Sequence, residues 1–129
     1  MKTKNSKTMI TGLLLAVMNI NPKAQETAVE WAPFIKLPMV TEEELITKAD
    51  AVNNDFLVKQ RGFITRELIK KDDTEYADVV YWESRSDAIN ASAKVNTCTT
   101  CAEYFELMNM DLNAGGGFSH YTIVKSWAR

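Results

Sequence analysis

The 129-residue sequence is sparing with the residues that build dedicated chemistry: one histidine, two cysteines, five glycines and three prolines. One histidine and two cysteines fall short of the four ligands of a structural zinc site, so one chain does not supply such a site by itself. Gly115-Gly116-Gly117 is the sole glycine cluster. Neither a helix nor a lysine follows it in phosphate-loop fashion, so it reads as a lead-in to a strand. There is no Ser-His-Asp set, no EF-hand loop and no internal repeat. Beyond the first two dozen residues no apolar run approaches the ~20 residues that cross a bilayer.

What is present begins with an export pattern. Lys2, Lys4 and Lys7 form a basic start, and Thr8 to Ile20 is a largely apolar run. That is the layout of a signal peptide, too short for a membrane span. Residues 1–24 are therefore expected to be removed, with cleavage after Ala24, although Pro22 at the −3 position departs from the small-residue rule. An exported protein, periplasmic or secreted, is the expectation. Without the four lysines of that stretch, eleven basic and seventeen acidic residues remain, a net charge of −6. Such a surface repels phosphate backbones and anionic lipid heads, which disfavours nucleic acid and, for the mature form, membranes as partners.

The remaining chain, roughly 105 residues, is the size of one domain with one core. Residues 25–33 read as a lead-in and 34–129 as the folded domain. Pro33 and Pro38 bracket a first strand, Phe34 to Val40, expected at a sheet edge because proline donates no ladder hydrogen bond. Thr41-Glu42-Glu43-Glu44 is a capping box. Leu45, Ile46, Ala49, Val52, Phe56 and Leu57 follow at helical spacing, to an end near Gln60 with Gly62 in the turn. Gly62–Lys71 and Tyr76–Trp82 read as a hairpin about the turn Asp72-Asp73-Thr74. Ser84 caps a second helix with Asp87 three residues on, carrying Ala88, Ile89, Ala91, Ala93 and Val95. A further helical piece, Thr100–Met108, is expected to bury Phe105 and Leu107. Phe118–Trp127, with Tyr121, Ile123 and Val124, is the last strand. The order β-α-β-β-α-β gives an α+β, ferredoxin-like fold: a four-stranded antiparallel sheet with helices on one face. The other face is left partly apolar, and a second copy of the chain is the simplest cover for it.

Three segments carry a resemblance: Arg61-Gly-Phe-Ile-Thr-Arg-Glu-Leu68, Asp78-Val-Val-Tyr-Trp-Glu-Ser84 and His120-Tyr-Thr-Ile-Val-Lys-Ser-Trp127. They resemble the antibiotic biosynthesis monooxygenase (ABM) family of the dimeric α/β-barrel superfamily, over roughly Phe34 to Trp127. The resemblance implies a homodimeric barrel and a choice among cofactor-independent quinol oxygenases, haem-degrading enzymes and members of other activity. The haem-degrading pattern needs an asparagine on the first strand, a tryptophan and a histidine on the second helix. Here the first strand lacks asparagine, and Ala91 and Cys101 fall near the other two positions, which disfavours haem cleavage. Cys98-Thr-Thr-Cys101 lacks a following histidine, so it is no c-type haem site. The quinol oxygenases need no cofactor, because the substrate carries the reducing power. Trp82 stands where they keep a strand-ending tryptophan. Asp78 and Ala88 stand where an asparagine and a tyrosine would be sought.

Candidate catalytic residues are His120, Trp82 and Glu67. His120 can take a phenolic proton, because imidazole changes charge near neutrality; the competing reading is a polar strand residue. Trp82 can stack on a flat ligand or serve as a core or interface residue. Glu67, if buried, is a proton acceptor; otherwise it pairs with Arg66, Arg85 or Lys125. Phe56, Phe63 and Phe105 are expected to line the pocket. Cys98 and Cys101 are spaced for a local disulfide, a redox pair, half of a metal site shared by two chains, or two inert thiols. Met108 and Met110 add flexible apolar surface. The function expected is a small cofactor-independent monooxygenase for an aromatic or quinol-like compound. The alternative is a non-catalytic barrel that binds a small ligand or serves an envelope stress response.

Overall fold

The computed structural model describes residues 26–112 and 117–129. The expected signal peptide and Gly115 and Gly116 lie outside them. The elements are β1 (Ala28–Ile35), α1 (Glu42–Asp55), β2 (Phe63–Lys70), β3 (Glu75–Trp82), α2 (Arg85–Lys94), α3 (Thr99–Phe105) and β4 (Ser119–Thr122). The four strands make one antiparallel sheet in the order β2-β3-β1-β4, the ferredoxin-like arrangement.

The first strand departs from expectation in place and role. It begins at Ala28 rather than Phe34, so residues 28–33 belong to the sheet and not to a lead-in. It is central rather than at an edge, paired with β3 along its whole length and with β4 from Ala28 to Trp31. Pro33 is tolerated for a reason of parity. The Lys36 N–H donates to the Thr74 carbonyl on the β3 side at 2.8 Å, whereas the Ile35 carbonyl accepts from Asn109 N–H on the other side at 2.7 Å. Pro33 shares the parity of Ile35. Its missing donor therefore faces a side where β4, last paired at Trp31–Ser119, has already ended.

The local signals at the helix starts are realised. The Thr41 side chain accepts from the Glu44 N–H, and the Glu44 carboxylate accepts from the Thr41 N–H. Ser84 Oγ accepts from the Asp87 N–H. Helix α1 is shorter than expected and gives way to a 3₁₀ turn at Leu57–Lys59, with Phe56 and Leu57 still buried. Leu45, Ala49 and Val52 face the core while Ile46 is exposed. On α2 only Ala88 and Ala91 are buried; Ile89 and Ala93 face outward. Phe105 and Leu107 are half-buried, packed at the rim of the core.

Strand β4 is much shorter than Phe118–Trp127. Ile123 N–H still donates to the Thr27 carbonyl, but β1 begins at Ala28 and offers no longer ladder. Val124 and Trp127 are accordingly exposed, at 94% and 83%. Among the described residues no helix is long and apolar enough to cross a membrane.

A bulge in β2 sets which side chains face inward. Phe63 pairs with Trp82 and Thr65 with Tyr81, so two β2 residues oppose one step of β3. Past the bulge Arg66 and Leu68 face the helices together with Phe63, while Thr65, Glu67 and Ile69 face away. That outer face also carries Trp31 and Tyr121, both exposed, beside the buried Ala77 and Val79.

Candidate functional site

Between the sheet's inner face and the helices lies a cavity of about 320 Å³. The strands supply its floor: Glu30, Ala32 and Phe34 from β1, Arg66 from β2, and Asp78, Val80 and Trp82 from β3. The small Ala91 and Ser92 of α2 leave the space open, and Phe56, Phe105, Met108 and Phe118 close its sides. The lining is mainly apolar with a few charged groups, the make-up of a small-molecule site.

Two polar sets sit on this floor. In the first, Glu30 and His120 are direct partners across β1 and β4. His120 Nε2 lies 3.1 Å from Glu30 Oε1 and 3.3 Å from Ser92 Oγ. Burial raises the Glu30 carboxyl above the ordinary carboxylate range; hydrogen bonding to His120 opposes that rise, and the charge of Asp78 adds to it. Glu30 faces the cavity and His120 stands behind it, outside the lining residues. The arrangement thus presents a carboxylate to a ligand and uses imidazole to hold it.

In the second set, Arg66 Nε donates to Asp78 Oδ1 at 2.7 Å and Arg66 Nη1 to the Ala49 carbonyl at 2.7 Å. Tyr104 O–H donates to Asp78 Oδ2 at 2.8 Å, and the guanidinium lies 5.4 Å from the Tyr104 ring centre. Burial alone would lower the Arg66 pKa, yet the adjacent Asp78 holds it above its ordinary value. Burial, reinforced by Asp78, pushes the Tyr104 phenol far up, so it stays a donor. This set ties β2, β3, α1 and α3 together and is closed upon itself.

Trp82 is 1% exposed, packs edge-on against Phe63 with ring centres 5.9 Å apart, and lines the cavity. Its indole N–H finds no acceptor among the described residues.

Of the residues singled out from sequence, Trp82, Phe56 and Phe105 border the cavity. His120 reaches it only through its partners Glu30 and Ser92. Phe63 supports Trp82 from behind rather than lining the space. Glu67 does not border the cavity: the bulge puts it on the outer face opposite Val79, exposed and with no ion pair among the described residues. Cys98 and Cys101 are joined as a disulfide with Cα atoms 5.2 Å apart, and Cys101 lines the cavity. Sequence reasoning missed Glu30, because it fell in the supposed lead-in, and Arg66, because simple alternation put it opposite Phe63. The hydrophobic alternation of Ala28, Glu30, Ala32 and Phe34 was the available signal for the first. Among the described residues no group of three or more His, Cys, Asp or Glu side chains is placed to hold a metal ion.

No protein-family model matches the sequence. No curated protein matches it either. Solved structures do. SnoaB, a cofactor-independent oxygenase from Streptomyces nogalater, is 15% identical with a TM-score of 0.54, over 81% of this chain and 97% of that one. A protein from Bordetella bronchiseptica, provisionally named an antibiotic biosynthesis monooxygenase, is 16% identical with a TM-score of 0.55, over 80% and 100%. One from Shewanella loihica, provisionally named a monooxygenase, is 18% identical with a TM-score of 0.53, over 78% and 98%. At such identities the likeness is one of fold, and by that likeness the chain has the ferredoxin-like fold of the ABM proteins.

Proposed function

We propose that this chain is a cofactor-independent monooxygenase acting on a small hydroxylated aromatic compound. The observation that carries the reading is Glu30: a buried carboxylate with a raised pKa, aimed into an apolar cavity beside Trp82 and braced by His120. A phenolic hydroxyl set between Glu30 and Trp82 loses its proton to Glu30. The resulting anion is electron-rich, and dioxygen adds at a ring carbon that bears hydrogen. The peroxide anion so formed takes the proton held by Glu30, and the hydroperoxide then loses water, its outer oxygen leaving with the hydrogen of that ring carbon, so that a carbonyl is left on the ring. One oxygen atom ends in the product and the other in water, and the substrate supplies both electrons.

Oxygen uptake with a panel of hydroquinones and hydroxynaphthalenes tests the reading, with product mass showing one added oxygen and the loss of two hydrogens. Unchanged turnover in E30Q and W82F would refute the assigned roles. A binding-only function is favoured by a different observation, the self-contained Arg66–Asp78–Tyr104 set, which leaves few groups for chemistry. A ligand retained through native purification together with no oxygen uptake would support it.

The active form we propose is a homodimer joined through the outer sheet face. Exposed Trp31, Ile69 and Tyr121 around Ala77 and Val79 support this. A monomer by light scattering at micromolar concentration would refute it. Export is supported by the basic and apolar start of the sequence, and a disulfide suits an oxidising compartment. Fractionation of cells expressing the full chain tests it.

A further inference from the structure

The cysteine pair is the one reactive group that the monooxygenase reading leaves idle, and its placement is asymmetric. Cys98 caps α3, its Sγ accepting from the Cys101 N–H at 3.0 Å with Thr100 Oγ1 at 3.4 Å, and it is only half-buried. Cys101 is 2% exposed and borders the same cavity as Glu30, Trp82 and Phe105. Of the two, Cys98 is the one a thiol in solution would meet first, being the less buried. A ring bound in the cavity meets Cys101. Thiol–disulfide chemistry is governed by such access.

We propose that Cys98 and Cys101 form a two-electron redox site that exchanges electrons with a quinone bound in the cavity. The proposal rests on the reading that this cavity accepts a quinol-like ring. In the reduced pair, the Cys101 thiolate adds to a ring carbon of the quinone, forming a C–S bond. The Cys98 thiolate then attacks Cys101 Sγ. The S–S bond forms, the C–S bond breaks, and its electron pair passes to the ring. The two thiol protons end on the two ring oxygens, with Glu30 the lining carboxyl able to carry one of them. Two thiols and a quinone become a disulfide and a hydroquinone, and the reverse reaction reduces the disulfide at the expense of a hydroquinone.

The test uses the full chain, reduced with dithiothreitol, desalted without oxygen and mixed with tetramethyl-1,4-benzoquinone. Its ring carries no hydrogen and so forms no lasting simple adduct. The expected result is two thiols lost per quinone reduced, one disulfide formed within the chain, and a rate that saturates with quinone. That rate should exceed the rate of the urea-unfolded reduced chain at least tenfold, and the redox-inert 1,4-dimethoxy-tetramethylbenzene should slow it. Thiols that persist, or a rate linear in quinone and no faster than in the unfolded chain, would overturn the proposal. Calorimetric titration of the oxidised protein with the matching hydroquinone separates the two levels. Binding without thiol loss defeats the redox site and leaves the cavity reading standing. Absence of binding defeats both.

Discussion

Glu30 and His120 oppose each other across β1 and β4 with 3.1 Å between Oε1 and Nε2, and only the carboxylate meets the cavity. The pair therefore divides the labour. On the proposed function, Glu30 would touch the ligand while His120 positions the carboxylate. In E30Q, oxygen uptake with an active hydroxyarene should fall by about 10²-fold or more, the usual worth of a general base. In H120N, whose amide can still donate to Glu30, the loss should be smaller and accompanied by a shifted pH profile. Equal losses in both variants with unchanged pH profiles would contradict this division.

The raised Glu30 pKa sets opposite pH trends for activity and stability. The native state holds a proton that the unfolded chain, with its ordinary value of 4.5, releases earlier as pH rises. Glu30's contribution to stability is thus full below 4.5 and is lost as pH climbs through its folded value. E30Q lacks this loss. The melting temperature of E30Q relative to the unchanged chain should rise as pH increases from 4.5 and then level off. Over the same range kcat/KM of the unchanged chain should increase, because the base must be ionised. A stability difference that stays flat or shrinks would show that burial does not raise this carboxyl.

Arg66 and Asp78 are both about nine-tenths buried at their side chains. Removing one partner strands the other's charge. R66M should cost about 3–5 kcal/mol in denaturant unfolding. R66M/D78N should recover a large part of it, since asparagine is neutral and still accepts from Tyr104. A double variant no more stable than R66M would mean that packing, not the stranded charge, carries the cost.

Gly62 has a φ of +85°, and a Cβ built on it would overlap the Asp87 carboxylate. G62A should therefore lose about 1–3 kcal/mol from its backbone conformation, with a further loss from the overlap. In a D87A background the overlap with the carboxylate disappears, while the overlap with the Cβ of residue 87, 2.6 Å from the built atom, and the backbone cost both remain. The two substitutions should couple favourably in a double-mutant cycle. Additive effects would show that Asp87 moves aside freely.

The order of elements was legible because capping and alternation are local. Thr41–Glu44 and Ser84–Asp87 mark their helices without help from the rest of the chain. The limits of β1 were not legible. Pro33 reads as a strand boundary unless one knows that β4 stops at Ser119, which is a fact of tertiary pairing. The bulge at Phe63–Thr65 was equally hidden, and one extra residue reverses the facing of everything after it, moving Arg66 in and Glu67 out. The site was half visible for the same reason. Trp82, Phe56 and Phe105 follow from hydrophobicity, whereas Glu30 and Arg66 become site residues only when the register is known.

The closed Arg66–Asp78–Tyr104 set also governs what the cavity refuses. Among the described residues that line it, Arg66 is the one cation, and it is committed to Asp78 and to the Ala49 carbonyl. Glu30 and Asp78 remain as two acids on the floor. On the proposed function, a carboxylated or sulfonated ring would enter with no counter-charge to meet it, so selectivity would work by exclusion, admitting neutral phenols and turning away their acidic analogues.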